Sequence, residues 1–235
     1  MPNQDSNADS PVKLVVLDGS SSSIIFNMSE KAEIEVGHLV SDVNIVDVGL
    51  DGSEAISNVD YKGLTGYTTS TTLTPKAYAV TVYPDNTPAS PVINETVTFA
   101  KGGDYGVFAV GKASTTIEAL VVETYRRPVA TSATLNVIHG APDASTVDVY
   151  LTSSTDISSA TPAISSFNFK DATQGVYVAA GTYFVTVTPT GTKTAAIGPA
   201  SITVENDKVY QAIAIEEDED VNPSTFDLLV SEIQD

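Results

Sequence analysis

The stretch LNVIHGAPDASTVDVY, Leu135 to Tyr150, decides the fold, because the chain says it twice. A looser copy, IEVGHLVSDVNIVDVG, runs from Ile34 to Gly49. Set 101 residues apart, the two agree at six of sixteen positions: Val36/Val137, His38/His139, Asp42/Asp143, Val46/Val147, Asp47/Asp148 and Val48/Val149. Each copy also holds one of the only two histidines in the chain. Within a copy, Leu135, Val137 and His139 sit two apart, so they share one face of an extended strand. Turn residues follow, and then a second extended run begins at Val147.

Working outward, the repetition continues. At a spacing of 105 residues, YAVTVYP from Tyr78 meets YFVTVTP from Tyr183, and VTFAKGGDYGVFAV from Val97 meets ITVENDKVYQAIAI from Ile202. At 109, Ile117-Glu-Ala-Leu-Val meets Phe226-Asp-Leu-Leu-Val. The growing spacing places two insertions in the second copy, one near TSSTDISSAT and one at the acidic run starting at Glu216. Insertions between matched strands are what a duplicated β-domain predicts. The matched segments are short, alternating and rich in Val, Ile, Thr and Tyr, with Pro, Gly, Asn and Asp in the gaps. No segment has the period of an amphipathic helix. The expectation is an all-β chain: two tandem antiparallel β-sandwich domains, immunoglobulin-like or transthyretin-like, with an extra N-terminal β-hairpin.

The boundaries follow. Residues 1–11 read as a disordered tether and 12–31 as the hairpin, which resembles the closing hairpin of each repeat and needs something to pack against. Residues 32–124 form repeat 1, 125–132 the linker and 133–235 repeat 2. The linker carries both arginines, Arg126 and Arg127; they are expected to pair with carboxylates across the boundary.

Composition narrows the function. Thirty acidic against 11 basic side chains give a formal net charge of −19 over 235 residues. Such a surface repels nucleic acid and anionic lipid. Cysteine is absent, which removes disulfides, thiolate nucleophiles and cysteine metal sites. No apolar run approaches the roughly 18 residues of a membrane span. Met1-Pro2 reads as a cloning remnant, and Asn3 to Ser10 as the tether behind a removed export signal or lipid anchor.

Val137-x-His139-x-x-Pro142-Asp143-Ala144-x-x-Val147-Asp148-Val149-Tyr150, followed by Gly181-Thr182-Tyr183-x-Val185-x-Val187-x-Pro189, resembles the bacterial domain-of-unknown-function 4397 family. The resemblance implies tandem β-sandwich modules on exported proteins and lipoproteins, with no activity attached. Repeat 1 departs from the pattern: Ser41 replaces Pro142, Val43 replaces Ala144, Gly49 replaces Tyr150, and Lys76-Ala77 replaces Gly181-Thr182.

Candidate chemistry is sparse. His38 and His139 each end an apolar row before a turn, and are expected to fasten that turn through its backbone or through Asp42 or Asp143. Neither copy offers a second histidine for a metal. Pro142 and Asp143 read as turn residues, and Asp47 and Asp148 as surface residues facing away from their valine neighbours; with Asp42 these aspartates could supply oxygen ligands to calcium, but their spacing matches no calcium loop such as D-x-D-x-D-G. Glu216, Glu217, Asp218, Glu219 and Asp220 read as an exposed loop, with calcium the candidate ligand. No cofactor is otherwise implied. GVFAVGKAS, from Gly106, departs from a phosphate loop because Ala113 occupies the hydroxyl position. The expected function is a non-catalytic, extracytoplasmic module for binding, adhesion or envelope structure, with a protein or glycan partner. The alternative is a hydrolase or carbohydrate-active accessory domain working through paired carboxylates.

Overall fold

The computed structural model describes residues 14–17, 22–25, 30–85, 87–218 and 225–233, and the expected tether at residues 1–11 lies outside them. β-branched and aromatic residues, which suit a pleated and half-buried surface, build eighteen strands among the described residues, and the one helical segment is a 3-10 turn at Thr69–Thr71. Strands β1 (Leu14–Leu17) and β2 (Ser22–Ile25) pair with each other as a hairpin. Among the described residues they are hydrogen-bonded to no other strand.

Repeat 1 contains β3 (Ala32–His38), β4 (Ile45–Leu50), β5 (Ser53–Asp60), β6 (Thr72–Leu73), β7 (Lys76–Pro84), β8 (Ile93–Phe99), β9 (Asp104–Gly111) and β10 (Ile117–Glu123). Repeat 2 contains β11 (Ala133–His139), β12 (Val147–Thr152), β13 (Ile164–Phe167), β14 (Ala172–Val178), β15 (Gly181–Pro189), β16 (Ile197–Val204), β17 (Val209–Glu216) and β18 (Phe226–Ile233). Each repeat is a sandwich of two four-stranded sheets. The orders are β10-β9-β3-β6 over β5-β4-β7-β8, and β14-β11-β17-β18 over β13-β12-β15-β16. Matched strands therefore hold matched places, and the chain is two tandem copies of one sandwich. The pairings are antiparallel with one exception per copy: β3 runs parallel to β9, and β11 to β17. The chain leaves the first strand, crosses to the opposite sheet and returns, a connection long enough for parallel pairing.

The first copy of the repeated stretch forms β3, a turn and β4, and the second forms β11, a turn and β12. Ile34, Val36, Val46 and Val48 enter the core of repeat 1 with Val80, Val82, Val107 and Phe99. Val147, Val149, Val185, Val187 and Ala214 do the same in repeat 2. The second core is looser. An apolar cavity of about 50 Å³ lies between its sheets, bordered by Val149, Val187, Ala212 and Leu228, where repeat 1 leaves about 10 Å³. Ala212 stands where repeat 1 has Val107.

Strands β9 and β17 are buried on both faces. Their alternate residues leave the home core and meet each other. Phe108 and Val110 of β9, with Leu120 of β10, pack against Ile138 of β11 and Ile213 and Ile215 of β17, together with Leu39. The sheets β10-β9-β3-β6 and β14-β11-β17-β18 are thus stacked face to face, and the molecule has four layers. Corresponding residues, Phe108 with Ile213 and Val110 with Ile215, occupy both sides, so the contact has the self-complementary character of a two-fold interface. Phe108 is seated by glycines: a Cβ on Gly37 or Gly106 would lie 2.5 or 2.4 Å from its ring.

Candidate functional site

Strand β3 ends at His38, which is fully buried. Its Nε2 donates to the carbonyl of Val43 at 2.7 Å, and its Nδ1 accepts from the amide of Val40 at 3.4 Å. The ring is therefore neutral and of one tautomer. His139 is equally buried, and Nε2 faces the carbonyl of Ser145 at 3.5 Å. Phe167 and Phe169 flank its ring. Burial lowers the pKa of both rings. Both histidines bond the turn that follows them, and the bonds described go to its backbone rather than to Asp42 or Asp143.

The aspartates divide in a way the sequence concealed. Asp47 and Asp148 are buried, at 2% and 5% exposure, and not on the surface. Each aims at a kink in the next strand. Asp47 accepts from the amide of Asn58 at 2.7 Å, and Asp148 from the amide of Ser166 at 3.0 Å. Asn58 and Ser166 have φ of 58° and 54°, and both strand pairs shift register beside the aspartate. Left-handed backbone costs a non-glycine residue free energy, and the carboxylate offsets that cost by taking the amide turned inward by the bulge. Asp148 also accepts from the Gly191 amide at 2.9 Å and the Thr190 hydroxyl at 3.2 Å. Bonds to the amides of Gly191 and Ser166 hold its pKa below the usual carboxylate range. Amide hydrogens aimed at a carboxylate fill the lone pairs that calcium would need.

Asp42 and Asp143 instead sit on either side of the turn that carries Lys112, Asp42 within repeat 1 and Asp143 across the boundary. Asp42 accepts the amides of Ala113 and Ser114 at 2.9 and 3.2 Å, fixing the turn between β9 and β10. Lys112 in that turn reaches across to pair with Asp143 and with Glu216, the latter at 3.2 Å. Glu216 also accepts from the Ser41 hydroxyl at 3.1 Å and from the Asp143 amide at 2.8 Å. Pro142, half-buried in the same turn, leads the chain into that amide. The turns of the two repeated stretches therefore meet at one carboxylate.

Glu216 corrects the reading of the acidic run as an exposed loop. It is the last residue of β17 and only 4% exposed. Glu217 is half-buried and pairs with Lys62 at 3.0 Å, and Asp218 is half-buried. Glu219 and Asp220 lie outside the described residues. Among the described residues, no group of three or more His, Asp or Glu could hold a metal ion.

The far end of the interface is also polar. Gln211 of β17 donates to Glu35 of β3 at 2.6 Å, with both side chains buried. Arg126 is 2% exposed. Its Nη1 meets Glu33 at 2.5 Å and Asp104 at 3.0 Å, and its guanidinium lies 3.9 Å from the centre of the Tyr67 ring. These partners all belong to repeat 1, so the linker arginine is anchored to one domain and does not bridge the boundary through them. Beside it opens a polar cleft of about 380 Å³ bordered by Arg126, Asp207, Lys208 and Glu232, with Lys208 paired to Glu232 at 2.6 Å.

The departures of repeat 1 from the motif also have causes. Ser41, where repeat 2 has Pro142, supplies the hydroxyl that Glu216 accepts. Gly49, where repeat 2 has Tyr150, leaves room for the Thr81 hydroxyl, which would lie 2.5 Å from a Gly49 Cβ, with the Tyr83 ring next to it at 3.7 Å. Tyr83 in turn occupies the place of Thr188, and both Tyr83 and Tyr150 are buried.

No helix of the described residues is long and apolar enough to cross a membrane. No curated protein matches the chain. Residues 32–150 and 133–232 each match the family described as Domain of unknown function (DUF4397). The two matches begin where the sandwiches begin, at β3 and β11. The repeated stretch, the duplicated sandwich and these matches agree: the chain belongs to the DUF4397 family.

Proposed function

We propose that the protein is a non-catalytic, extracytoplasmic module that binds or spaces within an adhesion or cell-envelope assembly. One observation carries this reading. The polar residues repeated between the copies hold the scaffold together: the histidines bond turn carbonyls, Asp47 and Asp148 cap kinked strands, Asp42 fixes the turn between β9 and β10, and Asp143 joins the repeats through Lys112. A group held by inward-facing amides in this way is not poised to move protons to and from a substrate. The net charge of −19 keeps such a module soluble in a saline exterior and suits a cationic or neutral partner, protein or glycan.

Two measurements test the proposal. Cell fractionation with an antibody to the chain should recover it outside the cytoplasm; recovery from the cytoplasm alone would remove the localisation. The purified protein should turn over no glycoside, ester or peptide in a substrate panel. Turnover abolished by Glu232→Gln would make the cleft beside Arg126 an active site and overturn the non-catalytic reading.

A further inference from the structure

Glu35 is a carboxylate placed between two stacked sheets, 4% exposed. The groups around it come from five elements. Gln211 of β17 donates to it at 2.6 Å. The Gly66 amide, in the loop between β5 and β6, also bonds to it, and the Arg126 charge in the linker acts on it through space. Asp104 of β9, Glu33 of β3 itself and the Tyr67 ring surround the same guanidinium. Three carboxylates therefore share one guanidinium, and Glu33 and Asp104 hold it by contact. The repeat-2 partner of Glu35 is a neutral amide. A buried carboxylate without a contacting cation is expensive to ionise.

We propose that Glu35 carries a proton in the folded protein near neutral pH, and that its ionisation weakens the contact between the two repeats. Burial, opposed by the Gln211 bond, the Arg126 charge and the Gly66 amide, raises its pKa to about 7 from 4.5. A raised carboxyl pKa gives a contribution that is fully present below the unfolded value, near 4.5, and lost as pH rises through 7. The Glu35–Gln211 contact is thus firm in mild acid and strained above neutrality, where an ionised Glu35 adds a third negative charge at Arg126.

The two histidines run the opposite way. Their lowered pKa values make the fold lose stability as pH falls below the unfolded value of 6.5. The parent alone therefore cannot isolate Glu35, and the comparison is with Glu35→Gln, which keeps shape and can still accept from Gln211. Denaturant unfolding of both proteins from pH 4 to 9 gives the ratio of their folding constants. That ratio, parent over variant, should fall by up to tenfold per pH unit between about 4.5 and 7, the limit set by one proton. A ratio independent of pH overturns the proposal. Should the variant fail to fold, the ¹³Cδ resonance of Glu35 in the full-length parent decides: a midpoint near neutrality supports the proton, and one below pH 5 refutes it. Hydrogen exchange locates the effect. Amides of β17 and the Gly66 loop should exchange faster in the parent than in the variant at pH 8.5 and equally at pH 5. Equal exchange at both values would sink the link to the interface.

Discussion

At the scale of single residues, Asp148 makes the strongest case that the repeated motif is structural. It holds a kinked strand through the Ser166 amide and a turn through Gly191 and Thr190. Removing it leaves inward-facing donors without an acceptor, each costing about 1–3 kcal/mol. Asp148→Ala should therefore destabilise repeat 2 by about 2–4 kcal/mol, read as a lower urea midpoint with an unchanged slope. A variant as stable as the parent would mean that water replaces the carboxylate at no cost. Part of this was legible. The alternation around Val147 and Val149 correctly turned Asp148 to the other face of its strand. Its burial was hidden, because the amides that cover it come from Ser166 and Gly191, 18 and 43 residues away. Glu216 was misread for a related reason. Five adjacent acids suggest repulsion and solvent, yet the first of them is still strand and faces Lys112 from the other repeat.

At the scale of elements, the repeat spacing of 101 to 109 residues aligned β3, β4, β7, β8, β9 and β10 with β11, β12, β15, β16, β17 and β18, which hold matched places in the sheets, whereas β5 and β6 and their counterparts carried no such match. Two features escaped the pattern. Parallel pairing of β3 with β9 joins residues about 70 apart, which no local period encodes. The runs around Phe108 and Ile213 did carry a signal. Continuous apolar residues mark a strand covered on both faces, whereas alternation marks one open face. The duplicated cores also allow a controlled comparison. Ala212 and Val107 are matched residues at matched places, and the cavity is larger beside the alanine. Ala212→Val restores the residue of repeat 1 and fills part of that space. It should stabilise the fold by about 1 kcal/mol, on the scale of one or two buried methyl groups, measured by thermal or urea unfolding. A lower melting temperature would mean that the cavity wall at Leu228 and Val149 cannot give way, so that the added carbons are strained.

At the scale of the whole molecule, the two sandwiches behave physically as one body, because the surface between them resembles a core more than a hinge. Phe108, Ile213 and Ile215 are fully buried there, and the polar clusters lie at its ends, around Glu35 and around Glu216. The half-exposed pairs at the margin, Lys62 with Glu217 and Asp227, and Lys170 with Glu118, add about 0–1 kcal/mol each. Lys112 and Glu216 are more enclosed, with 12% and 5% side-chain exposure, and fix the register of the stacked sheets. A contact of this kind does not need the linker to hold it. Ala130 and Thr131 are exposed, in a turn closed by the Ser132 amide on the Val129 carbonyl at 3.0 Å. A protease site inserted between them, away from Arg126, can be cut in the folded protein. The halves should then elute together at the size of the intact chain. The same cut in a protein carrying Ile213→Asp should release them, because an unpaired carboxylate in that apolar centre costs several kcal/mol. Halves that separate without the substitution would show that the linker, and not the stacked sheets, keeps the repeats together, and the four-layer body would have to be replaced by two sandwiches on a tether.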